Sequence, residues 1–93
     1  MRTLGLCFND LRSLPKELVK LKKLDTLDIS FNHNLKIADQ LEILNQMQWL
    51  KYINIIETNF EETTIYQLRL GLPKTKIAAK LEDLEIETLE TSQ

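Results

Sequence analysis

Valine, cysteine, glycine and proline are all scarce in this 93-residue chain, with one Val, one Cys, two Gly and two Pro. So few glycines and prolines argue against a barrel or sandwich built from many tight turns. A single cysteine excludes an internal disulfide framework, so nothing marks an oxidised secreted miniprotein. No apolar run approaches the ~20 residues of a membrane span, and the N-terminus lacks a basic-then-apolar signal pattern. A cytoplasmic protein without a membrane partner is expected. The formal net charge of -2 gives no overall pull towards nucleic acid. What the chain has is leucine and isoleucine, 18 and 9 of them. With 43% hydrophobic and 28% charged residues, it is long and apolar enough for one folded domain with a single core.

Those apolar residues recur in phase. Leu4-Gly5-Leu6-Cys7-Phe8-Asn9 lies over Leu27-Asp28-Ile29-Ser30-Phe31-Asn32, and Ile53-Asn54-Ile55-Ile56-Glu57-Thr58 lies over both. The starts are 23 and 26 residues apart. Leu24 and Leu50 stand three positions upstream of the second and third, and Leu11, Leu35 and Phe60 close the units. A leucine-rich helical bundle would have no use for such alternation beside Asn at a constant phase.

The pattern resembles the leucine-rich repeat family, whose unit reads L-x-x-L-x-L-x-x-N-x-L over about 20 to 29 residues. The segment Leu4 to Leu24 fits best, including Leu14-Pro15 and the leucines at 18, 21 and 24. Asn59-Phe60, a helix-like stretch and Leu72-Pro73-Lys74-Thr75-Lys76-Ile77 are similar to the family's terminal repeat. The resemblance covers residues 3 to 79, with repeats at about 3–25, 26–51 and 52–74 and a final strand at about 75–79. It implies an α/β fold: a short right-handed solenoid, parallel strands on its concave face and short helices on its convex face. Residues 80–93, with one Lys against five acidic groups, are expected to form an acidic cap or tail.

Alternation sends Leu4 and Leu6 to one side of a strand and Gly5 and Cys7 to the other. No unit of this length buries its own apolar face, so neighbours must stack. Asn9, Asn32 and Thr58 fall where the chain leaves each strand. A buried Asn amide there can bond the backbone of its own and an adjacent turn, whereas Thr58 has no second donor. The third turn should be looser. Pro15 suits the start of a short helix carrying Leu14, Leu18 and Leu21. Asp39 with Glu42, and Asn59 with Glu62, are capping candidates for two further helices, the first lengthened by three extra residues. Gly71 offers a left-handed helix end, and Lys76-Ile77-Ala78 the fourth strand.

Residues for catalysis are few. His33, the sole histidine, sits in a turn between Asn32 and Asn34 with no second ligand at metal-binding spacing. Cys7 lacks a neighbouring histidine to activate it. No Gly-rich phosphate loop exists. A non-enzymatic module without cofactor or metal is expected. The resemblance implies binding of another protein through outward-facing residues of the strands: Thr26, Asp28, Ser30, Tyr52, Asn54 and Ile56, with Cys7, Phe8 and Phe31. Tyr52, Ile56 and Phe31 are the favoured patch, because aromatic side chains carry much interface energy.

Two other features stand out. Leu4 follows directly on Met1-Arg2-Thr3, leaving the first unit's leucines without an N-terminal cap; a homodimer joined edge to edge through the first strands is expected. Residues 1–24 carry six basic and two acidic groups, net +4, with Lys16, Lys20, Lys22 and Lys23 clustered. This is ordinarily a solvated face, and without interleaved aromatics it does not favour single-stranded nucleic acid. Alternatives to the binding module are a structural, self-assembling end piece of a longer repeat protein, and the recognition domain of a larger enzyme such as an effector ligase.

Overall fold

The computed structural model describes residues 2–83. The acidic cap or tail expected at 80–93 therefore lies outside the described residues from position 84 onward.

Four three-residue strands form one parallel sheet in chain order: β1 Thr3–Gly5, β2 Thr26–Asp28, β3 Tyr52–Asn54 and β4 Lys76–Ala78. Leu4, Leu27, Ile53 and Ile77 pair in one row across it. The register thus follows the phase of the sequence alternation, and the fourth strand lies where Lys76-Ile77-Ala78 was expected. Parallel pairing in chain order requires a crossover between each pair of strands. The crossovers are a 3-10 turn at Lys16–Lys20, a 3-10 turn at Ile37–Gln40 running into helix α1 (Leu41–Leu44), and helix α2 (Glu62–Gly71).

One core holds them together. Leu27, Ile29, Ile53, Ile55 and Ile77 from the strands cluster with Leu18, Leu44, Ile65 and Leu68 from the crossovers. Burial depends on how many neighbours a strand has. Leu27, Ile29 and Leu35 are wholly buried, whereas their counterparts Leu4, Leu6 and Leu11 at the sheet edge are half-buried. One polar side chain inside this core is tied to backbone: the buried Gln40 accepts the Leu14 N–H at 2.8 Å, bracing one crossover on the next.

Helix ends depart from the sequence reading. Asp39 lies within its 3-10 turn, where its own N–H bonds the Lys36 carbonyl, so it caps nothing. Asn59 lies two residues before the Glu61 N-cap, held there by its backbone, which bridges to Lys36, accepts the Ile37 N–H and donates to the Leu35 carbonyl. Glu61 precedes α2 without a side-chain cap. The second crossover does lengthen, to four 3-10 residues and four α residues against five in the first. Gly71 is not left-handed; no glycine has positive φ among the described residues. It is glycine for another reason: a Cβ there would overlap the side-chain amide of Asn45, 2.7 Å from its Cγ. Glu62 in the first turn and Arg69 in the last complement the α2 dipole.

Candidate functional site

Of the nine sequence-chosen residues, four lie on strands and five follow the strand ends, and their environments differ. Thr26, Asp28, Tyr52 and Asn54 are half-buried on β2 and β3. Asp28 and Asn54 work within their own chain turns. Asp28 Oδ1 accepts the Ser30 N–H at 3.0 Å and its hydroxyl at 2.7 Å, and Asn54 Oδ1 accepts the Ile56 N–H at 3.0 Å. Ser30 is only 4% exposed and Ile56 only 2%, so neither offers contact surface. An outward position on a strand is not the same as an exposed one, because neighbouring elements can cover it. Cys7 is half-buried with its thiol free.

The exposed part of the site lies just beyond the strands. Phe8, Phe31 and Glu57 occupy equivalent positions and share one unusual backbone state, with φ of 59°, 57° and 57°. Holding an L-residue in this left-handed region costs about 1–2 kcal/mol, which is why Gly, Asn and Asp usually take it. Backbone bonds keep the chain in register there: Phe8 N–H donates to the Ser30 carbonyl at 3.2 Å, and Phe31 N–H to the Ile56 carbonyl at 2.8 Å. Equivalent side chains on adjacent parallel strands sit one strand spacing apart, about 4.8 Å, close to an aromatic stacking distance. The two rings do stack, 4.5 Å between centroids and 8° from parallel. Phe8 is 71% exposed, so this stack presents a broad apolar face to solvent. Beyond it, His33 Nε2 lies 3.6 Å from Glu57 Oε2, both at the surface.

Sequence reading placed Phe8 and Phe31 at the strand ends but missed their stack. The available signal was the same residue type at the same phase 23 positions apart.

The turn residues behave unequally. Asn32, fully buried, makes five bonds: its Oδ1 accepts from Asn9 N–H and Leu11 N–H, and its Nδ2 donates to the carbonyls of Leu6, Ile29 and Ser30. Asn9 is exposed, and its side chain makes one 3.3 Å bond, to the Cys7 carbonyl. Asn32 has a preceding turn to hold; Asn9 has none among the described residues. Thr58 makes one side-chain bond, to the Ile55 carbonyl at 2.7 Å. Among the described residues, no three His, Cys, Asp or Glu side chains gather as a metal site. No family model matches the chain, and no curated protein compared with it matches either.

Proposed function

We propose that this chain is a short right-handed leucine-rich repeat solenoid that binds another protein, without chemistry of its own, through its concave strand face. The observation that carries the reading is the Phe8–Phe31 stack. Two large aromatics occupy backbone positions where smaller residues cost less, and strained positions gather at functional sites. The stack recovers about 0.5–1.5 kcal/mol, yet an exposed apolar face gains most when a partner covers it. Phe8 and Phe31 form the anchor beyond the strand ends, Asp28 and Asn54 brace the turns that lead to it, and Thr26 and Tyr52 lie at the far ends of β2 and β3. Asn32 supports the repeat reading, since one side chain joins two successive turns.

The test is affinity capture from native lysate with the chain, using F8A/F31A as the control. Proteins recovered by the parent and lost with the variant, at unchanged circular dichroism, support the reading. Equal recovery by both removes it.

A further inference from the structure

The edge of β1 that faces away from β2 carries no strand among the described residues and is a second surface. In a parallel ladder, successive residues direct their backbone groups to opposite sides. Leu6 and Phe8 donate their N–H groups towards the second unit, to the Asp28 and Ser30 carbonyls at 2.8 and 3.2 Å, and the Arg2 carbonyl accepts from Thr26. By the same alternation, Thr3 and Gly5 direct N–H and C=O away from β2, where no described strand runs. Both residues are exposed, and a Cβ added at Gly5 would meet no atom within 4 Å.

Beside this edge lies an open cavity of about 440 Å³. Leu4 and Leu21 give it an apolar floor, and Arg2, Lys20, Lys22 and Lys23 stand around it. No carboxylate lines it among the described residues. Lys22 is held in place, its Nζ 4.4 Å above the Trp49 ring.

We propose that this edge takes up an extended acidic segment of another protein as an added strand. The segment's backbone bonds Thr3 and Gly5, and the alternate side chains that it turns to the Leu4 side are carboxylates, which meet Arg2, Lys20 and Lys23 beside Leu4 and Leu21. Charge selects this occupant. A second copy brings the same lining to the edge, four cations and no carboxylate among the described residues, and so supplies no counter-charge from that lining. A nucleic acid would satisfy the cations and leave the backbone groups of Thr3 and Gly5 without a strand. The inference is independent of the Phe8–Phe31 surface.

The experiment titrates the full isotope-labelled chain, at low salt, with an acetylated and amidated octapeptide of alternating Glu and Val. The Thr3 and Gly5 amides are expected to shift and to exchange hydrogen more slowly, while an alternating Lys and Val octapeptide leaves them unchanged. K20E/K23E should weaken binding by about tenfold or more. Gly5→Pro, which removes an outward N–H, should abolish binding, whereas Gly5→Ala, which keeps it, should bind as the parent does. Peptide binding without protection at Thr3 and Gly5 overturns the proposal, as does equal binding of the Lys and Val peptide. So does a micromolar dimer, seen by sedimentation, that protects the same amides. Binding of a ten-nucleotide oligouridylate that K20E/K23E abolishes, with the acidic peptide inert, assigns the rim to nucleic acid instead.

Discussion

Asn32 holds the turn that contains Asn9: its Oδ1 accepts the Asn9 N–H at 3.1 Å while its Nδ2 reaches the Leu6 carbonyl at 3.0 Å. The two asparagines share a sequence phase and differ in what lies before them. Asn32→Ala takes a partner from five buried or part-buried backbone groups, of which the Ser30 carbonyl keeps the Phe8 N–H; each group left unpaired costs about 1–3 kcal/mol, and relaxation and water recover part of this. A loss of roughly 3–5 kcal/mol is expected, a large share of the ~5–10 kcal/mol that holds a chain of this size folded. Asn9→Ala removes one long exposed bond and should cost under about 0.5 kcal/mol. Urea unfolding of both variants checks this; similar losses would mean that Asn32 does not brace the turn before it.

Replacing Phe8 and Phe31 should separate binding from stability. Phe8→Asn exchanges a strained aromatic for a residue that tolerates positive φ, so relief of strain offsets the lost stacking. The unfolding free energy is expected to stay within about 1 kcal/mol of the parent, while partner capture falls. A large drop in stability would show that the stack serves folding, and the binding reading would lose its main support.

Where side chains follow a short period, the fold was legible. Leu4, Leu27 and Ile53 mark alternations whose offsets of 23 and 26 residues are also the strand register, because stacking in chain order leaves no freedom to slip. Ile77 continues the row. Helix ends were not legible, since Asp39 and Asn59 each had several backbone groups to choose from and only packing decided among them. Gln40 drew no expectation from the sequence, yet it is buried on the Leu14 N–H. Ser30 and Ile56 were assigned to the open face by alternation, which fixes direction and not coverage. The Phe8–Phe31 stack needed two facts together, a shared phase and a strand spacing close to ring thickness.

Gly71 and Asn45 should be coupled. Alanine at a helical position normally gains up to about 1 kcal/mol over glycine, and Gly71 has no positive φ to forbid it. Here the new methyl must push the Asn45 amide aside. Gly71→Ala alone is expected to be neutral or to destabilise by up to about 1 kcal/mol. On an Asn45→Ala background the same change should stabilise. A double-mutant cycle with no coupling would mean that Asn45 swings away freely.

Acid should loosen the segment after β4 through Asp83. Burial raises the pKa of this carboxyl, but the N–H groups of Ala79 and Lys80 that bond it, with the charges of Arg69 and Lys80, outweigh that and leave it lowered. Asp83 Oδ2 accepts those bonds at 2.8 and 3.0 Å, and Asp83 N–H in turn donates to the Lys80 carbonyl at 2.9 Å. The arrangement is half of a capping box, an N3 side chain reaching back to the first backbone donors of a turn. Because the folded state holds the proton more weakly than the unfolded chain, the contribution is complete above the free aspartate value, about 3.9. It disappears as the pH falls through the lower folded-state value. The Ala79 and Lys80 amides of the parent should therefore lose hydrogen-exchange protection on acidification, and those of an Asp83→Asn variant should show less protection at neutral pH and little further change. Identical acid profiles for parent and variant would place the pH response elsewhere in the chain.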